Sequence, residues 1–255
     1  MLTSQNMYAI LTMLNLGKNR VERMIFMNVQ GFQKLTLLDF PGKVACTVFT
    51  GGCNLRCPFC HNAGLVFSPN EYPSAEGDVL EYLPTRTNIL DGVCLTGGEP
   101  LLQKDILPFI EKIKSMGYKV KLDTNGASPS RLKEVLDSGL VDYVAMDVKA
   151  SKENYSRACG CSVDVAKIEE SIKIIRSSHI DHEFRTTAVK GIHSIDEFES
   201  IAHWLGSESK YFIQKFVDSG NLLGTDCSAF SYDEMDQILQ TVKKIIPQAT
   251  LRGQE

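Results

Sequence analysis

The chain has 255 residues, 43% hydrophobic and 23% charged, with 31 Asp and Glu against 27 Lys and Arg for a formal net charge of −4. That balance excludes a disordered or collagen-like chain and allows one large α/β domain with a substantial core. No block of basic residues interrupts the acidic balance, so nucleic acid is not an expected partner. Eight cysteines at irregular spacings, without a secretory leader pattern, point to thiolate or metal chemistry in a reducing cytoplasm rather than to a disulfide framework.

Residues 1–28 read as an N-terminal extension of unknown role, ahead of a single core domain over 29–255. The stretch 7–16 is mildly apolar, but no basic segment precedes it and no small-residue cleavage site follows. It is too short to span a bilayer, and no membrane partner is expected. The run Leu37-Leu38-Asp39-Phe40-Pro41-Gly42 closes in a Pro-Gly turn, and 44–49 follows as a buried strand rich in β-branched and aromatic residues. That strand delivers Thr50-Gly51-Gly52-Cys53-Asn54-Leu55-Arg56-Cys57-Pro58-Phe59-Cys60-His61-Asn62. A looser passage at 63–90 carries Pro69, Pro73 and Pro84, one short helix near 77–82, and no cysteine.

From residue 91 the pattern alternates, with short apolar strands at 92–96, 118–123, 141–147, 183–189 and 211–217. Helical periodicity occupies 102–116, 129–138, 164–178 and 195–206, with a last helix at 232–246. Alternation of this kind means βαβ units, a parallel sheet with outer helices and right-handed crossovers. Periodicity leaves two α/β architectures open, a barrel and a flat doubly wound sheet. In either, ligands gather beyond the carboxyl ends of the strands.

The chemistry starts at the cysteine loop. Cys53, Cys57 and Cys60 can surround one iron-sulfur cube, and the spacing supplies no fourth thiolate, which leaves one iron open to a substrate or cofactor. Two other chemistries use similar residues. Cys57-Pro58-Phe59-Cys60-His61 matches a covalent haem attachment pattern, and three cysteines plus a histidine can hold zinc. Haem attachment leaves Cys53 unexplained, and the nearest other cysteine pair, Cys159 and Cys161, has the wrong spacing for a zinc knuckle. Cys46, Cys94, Cys159, Cys161 and Cys227 read as scattered small hydrophobes, and His179, His182, His193 and His203 as core or solvated histidines.

The strand ends are unusually polar. Thr96-Gly97-Gly98-Glu99-Pro100 follows the second strand, where two glycines permit close backbone approach and Pro100 can open a helix. The third ends in Asp123-Thr124-Asn125-Gly126, which could equally be a helix cap. The fourth ends in Asp147-Val148-Lys149, two charges that share a side of a strand. Arg185 lies in the fifth strand and Gln214 with Lys215 in the sixth; a charge within a β-branched run is costly unless paired.

Together these motifs resemble the radical S-adenosylmethionine superfamily, whose signature is the Cys-x3-Cys-x2-Cys loop with an aromatic, here Phe59, before the last cysteine. The resemblance spans about residues 30–220. Within the superfamily the sequence is similar to activases of glycyl radical enzymes, through Leu-x-Asp-Phe-Pro-Gly most of all to the long type that serves anaerobic ribonucleoside-triphosphate reductase. The resemblance implies an open six-stranded β/α barrel. It implies a 4Fe-4S cluster on Cys53, Cys57 and Cys60, with S-adenosylmethionine chelating the open iron. Gly97, Gly98 and Glu99 would meet the methionyl amino group, and Asp147 with Lys149 its charged end. Asp123, Thr124 and Asp147 would also hold a monovalent cation.

Arg185 and Gln214 would complete the cofactor site, Gln214 or Lys215 standing where related activases have a histidine. The implied reaction is reductive cleavage to methionine and a 5'-deoxyadenosyl radical, which abstracts hydrogen from a glycine of a partner glycyl radical enzyme. A flavodoxin- or ferredoxin-type protein would supply the electron. The alternatives are a radical enzyme acting on a small molecule or nucleoside, and a 4Fe-4S electron-transfer or sensor protein.

Overall fold

The computed structural model describes residues 27–253 apart from 68 and 219. The expected extension lies outside the described residues except for its last two positions. Those two are part of the packed body: Met27 is buried and its N–H donates to Glu76 at 2.9 Å, while the Asn28 side chain donates to the Pro69 carbonyl at 2.6 Å.

Eight strands form one sheet in chain order: β1 (Val29–Thr36), β2 (Ala45–Thr50), β3 (Gly92–Gly97), β4 (Lys119–Thr124), β5 (Tyr143–Asp147), β6 (Asp181–Ala188), β7 (Tyr211–Lys215) and β8 (Thr250–Arg252). β1 runs antiparallel to β2, and every later neighbour is parallel. The two ends of the sheet, β1 and β8, are not hydrogen-bonded to each other, so the sheet is an open α/β barrel. Eight α-helices are described: α1 (Ala63–Phe67), α2 (Glu76–Tyr82), α3 (Ile106–Ser115), α4 (Pro129–Asp137), α5 (Tyr155–Ala158), α6 (Val165–Ser177), α7 (Glu197–Leu205) and α8 (Tyr232–Lys243).

The layers follow from periodicity. α3 buries Ile106, Phe109, Ile110 and Ile113, one stripe of a 3.6-residue repeat, and α6 buries Ile168, Ile172 and Ile175 in the same way. These stripes belong to one core with Val93, Leu95, Val120, Leu122, Val144, Met146 and Phe184, the strand positions that point outward. The alternate positions point inward, and they are polar. Register sets Thr47, Cys94, Lys121 and Tyr143 side by side, with Asp147 level with Arg185 and Thr187 level with Gln214 above them.

The six expected strands are present within one or two residues of the predicted bounds. β1 and β8 were not anticipated: β1 is mostly half-exposed with little alternation, and β8 has only three residues. The helix expected over 102–116 is divided into a 3-10 turn at Pro100–Leu102 and α3, because Glu99 caps the first piece by accepting from Leu101 N–H at 3.2 Å.

Candidate active site at the mouth of the barrel

The carboxyl-end portions of β2 to β7 and the loops that follow them line a cavity of about 430 Å³. Cys53, Cys57, Phe59 and Cys60 line it from the loop after β2, Gly97, Gly98 and Glu99 from the turn after β3, and Asp123 and Thr124 from β4. Asp147, Lys149, Arg185 and Gln214 complete the wall, so all thirteen residues expected at the site face one space. Asp39, Asn62, Asn125, Thr187 and Lys215 line it as well.

The cysteine loop is held against the Gly97-Gly98 turn by backbone contacts. Gly98 N–H donates to Thr50 and Glu99 N–H to Gly52, both at 2.8 Å. A Cβ on Gly98 would lie 1.9 Å from the Gly52 carbonyl oxygen, so only glycine allows this approach. Asn62 adds a side-chain hydrogen bond to the Gly97 carbonyl at 3.2 Å. The loop between Cys53 and Cys57 rests on residues 159–161, through Arg56 N–H to the Cys159 carbonyl at 2.8 Å.

Glu99 is almost wholly enclosed, and its carboxylate accepts from Leu101 N–H, from the Thr124 hydroxyl at 2.9 Å and from Asn125 N–H at 2.7 Å. Burial pushes its carboxyl up to about 7 in spite of these donors. Glu99 therefore ties the β3 turn to the β4 turn, and Asn125 continues the tie to Asn54 of the cysteine loop at 2.8 Å.

A ladder of alternating charge climbs the barrel interior. Lys121, almost fully buried, pairs with Asp123; Arg185 donates to Asp123 at 3.2 Å and to Asp147 at 2.8 Å; Lys149 pairs with Asp147 at 3.0 Å. Burial raises both aspartates, but the Arg185 charge, with Lys121 at one and Lys149 at the other, outweighs it and holds both carboxyls below the usual range. At the floor, Glu183 accepts both Arg252 N–H groups at 2.7 Å and the Tyr143 hydroxyl at 2.9 Å. By sequence His193 reads as an ordinary core or solvated histidine. It is buried, contacts the Lys149 carbonyl at 2.8 Å through Nε2, and sits 6.2 Å from the Phe59 ring, so it fixes the backbone of one site residue and the packing of another.

The three thiols differ. Burial pushes Cys53 up to about 11 and raises Cys60, whereas a hydrogen bond from Cys159 holds Cys57 down at about 7. Among the described residues no three His, Cys, Asp or Glu side chains converge as one metal ion would require. Three thiols spread around one cavity, with glycines closing the loop behind them, fit the larger volume of a 4Fe-4S cube.

The superfamily model for radical SAM proteins matches residues 47–205, which takes in the cysteine loop and five of the parallel strands. A protein of Methanocaldococcus jannaschii named "Putative glycyl-radical enzyme activating enzyme" is 33% identical over 195 residues, 74% of this chain and 79% of that one. A 7-carboxy-7-deazaguanine synthase of Methanopyrus kandleri is 28% identical over 196 residues, 67% of this chain and 75% of that one. In fold, a radical SAM methyltransferase from Sphaerobacter thermophilus superposes with a TM-score of 0.66 at 14% identity, over 86% of this chain and 68% of that one. Sequence match, barrel and cysteine loop agree: the chain belongs to the radical SAM superfamily, whose members use a 4Fe-4S cluster and S-adenosylmethionine.

Proposed function

We propose that this chain is an activating enzyme that installs a glycyl radical on a partner protein, with anaerobic ribonucleoside-triphosphate reductase as the partner. The observation that carries this reading is the 33% identity, across three quarters of both chains, to a relative bearing the activase name. In this reading Cys53, Cys57 and Cys60 hold the cluster, and Phe59 packs behind them against His193. When bound, the cluster and S-adenosylmethionine supply a 5'-deoxyadenosyl radical through one-electron cleavage of a C–S bond, with a flavodoxin- or ferredoxin-type protein as donor.

The chain's own residues bind and orient. The backbone of Gly97 and Gly98 faces the methionyl amino group, and Glu99 holds that turn rigid. Lys149, fixed by Asp147 on its side chain and His193 on its carbonyl, meets the methionyl carboxylate. Around Asp123 and Asp147 three cationic side chains, Lys121, Arg185 and Lys149, already face two carboxylates. A monovalent cation at Asp123, Thr124 and Asp147 would compete with them, so direct contact with Lys149 is the arrangement the charges favour. Gln214, Lys215 and Thr187 line the remaining wall, where the partner's glycine segment would enter.

The second reading is a radical enzyme acting on a small molecule, favoured by the 28% identity to a deazaguanine synthase. The test is anaerobic: reconstitute the cluster, reduce, add S-adenosylmethionine, and measure 5'-deoxyadenosine with and without a candidate anaerobic reductase while recording electron paramagnetic resonance. Cleavage with a glycyl doublet on the partner is expected. Cleavage without a doublet on any glycyl radical enzyme supplied would transfer the assignment to the second reading.

A further inference from the structure

β6 and β7 form a part of the cavity wall separate from the cysteine loop and the Gly97-Gly98 turn. Residues two apart on a strand point the same way, so Arg185 and Thr187 both face inward. Parallel register sets Arg185 level with Phe212 and Thr187 level with Gln214. Neighbouring strands lie about 4.8 Å apart, so the Thr187 and Gln214 side chains stand side by side, one step nearer the mouth than Arg185. Both line the cavity, and both are partly exposed.

The cations around this pair are already engaged. Lys149 is paired with Asp147 at 3.0 Å, and Arg185 with Asp147 at 2.8 Å and Asp123 at 3.2 Å. Lys215, next along β7, lays its ammonium on the Tyr232 ring at 3.6 Å. Thr187 and Gln214, by contrast, have no side-chain hydrogen bond to any described residue. What they offer a ligand is neutral: a carboxamide with two donors and an acceptor, and a hydroxyl that both donates and accepts. A carboxylate or phosphate brought to this wall would meet no unpaired cation among the described residues.

A glycine within a chain has no side chain to grip. It can be held only through its backbone, which presents one N–H donor and one C=O acceptor, both neutral. We propose that Thr187 and Gln214 determine substrate specificity by holding the peptide groups of the reacting glycine, the Gln214 carboxamide accepting the glycine N–H and the Thr187 hydroxyl donating to its C=O. The inference rests on the reading of this chain as an activating enzyme, and it moves Gln214 from the cofactor to the substrate. Specificity then comes from matching hydrogen bonds in a site whose charges are spent on one another.

The test uses the full-length, cluster-reconstituted protein, saturated with S-adenosylmethionine and left unreduced so that binding is measured without turnover. The ligands are a short peptide carrying the glycine loop of the anaerobic reductase and its ester analogue, in which glycolic acid replaces the glycine and removes only the N–H. Calorimetry should show the peptide about tenfold weaker on Gln214→Leu and on Thr187→Val, a loss appropriate to one hydrogen bond. The ester should be about tenfold weaker on the parent, yet bind Gln214→Leu as the peptide does, because the partner of the missing N–H is already gone. Losses that multiply in that combination would overturn the proposal. So would a Gln214→Leu variant that loses S-adenosylmethionine affinity by the same factor as peptide affinity, since Gln214 would then belong to the cofactor. A parent that binds neither the peptide nor the whole reductase would overturn the activating-enzyme reading itself, and this inference with it.

Discussion

Arg185 is the side chain whose removal should reveal most about how the site is held. Its guanidinium reaches Asp147 at 2.8 Å and Asp123 at 3.2 Å, and the three side chains are only 13%, 29% and 13% exposed. Breaking a buried pair by removing one partner costs about 3–5 kcal/mol, because the other charge is left uncompensated. The low end applies here, since Lys121 stays with Asp123 and Lys149 with Asp147. Arg185→Met should therefore destabilise the cluster-free chain by about 3 kcal/mol at pH 7. With a urea dependence of about 3 kcal/mol per molar, the midpoint falls by about 1 M.

The pH dependence has a definite sign. Burial acts to raise both aspartates, and Arg185 leads the charges that hold them below the ordinary range. Stability from a depressed carboxyl is present above its unfolded value near 3.9 and is lost as pH falls through the folded value. The gap between parent and variant should be full at pH 7 and narrow below about pH 4. Urea unfolding followed by circular dichroism from pH 7 down to 3.5 measures it. A gap under about 1 kcal/mol, the worth of an exposed pair, or one that does not narrow in acid, would refute the ladder as a buried network.

Three other outcomes are expected. Cys57→Ala should abolish S-adenosylmethionine cleavage while circular dichroism remains that of the parent; retained cleavage would remove Cys57 from the ligand set. Lys149→Ala should weaken S-adenosylmethionine binding about tenfold, or about 1.4 kcal/mol, at unchanged iron content, and unchanged affinity in equilibrium dialysis would take Lys149 out of the site. Gly98→Ala should destabilise the chain by about 2 kcal/mol through overpacking and lower the iron bound on reconstitution, because its Cβ would strike the Gly52 carbonyl. Gly64→Ala in α1, with nothing within 4 Å of the added Cβ, is the control and should retain both stability and iron.

Much of the site could be read from sequence because a parallel barrel brings strand ends together whatever their separation in the chain. Cys53, Gly98, Asp123 and Asp147 each close or follow a strand, and register alone sets Asp147 beside Arg185 inside β6. What escaped has a common cause. Cys159 meets Arg56 across about a hundred residues, and His193 holds Lys149 across 44, through loops that carry no periodic signal. Tyr155 belongs to a four-residue helix, too short to leave a pattern in the sequence. β1 was missed for a different reason: as an antiparallel edge with half-exposed residues, it lacks the nearly continuous buried run that marks β2.

The polar interior and the cysteine loop are linked through two rigid connections. Glu99 joins the β3 turn to Thr124 and Asn125, and Asn125 joins Asn54 between the first two cysteines. On the other side Lys149 joins Asp147 by its side chain and His193 by its carbonyl, and His193 packs on Phe59 just before the last cysteine. The residues proposed to bind the cofactor are therefore also the residues that position the cluster loop. A substitution in either connection should disturb iron binding and cofactor affinity together. Lys149→Ala removes the side chain beyond Cβ, and with it the Asp147 pair, but leaves the backbone carbonyl contact to His193 intact, so it can separate the two effects where His193 or Asn125 variants cannot.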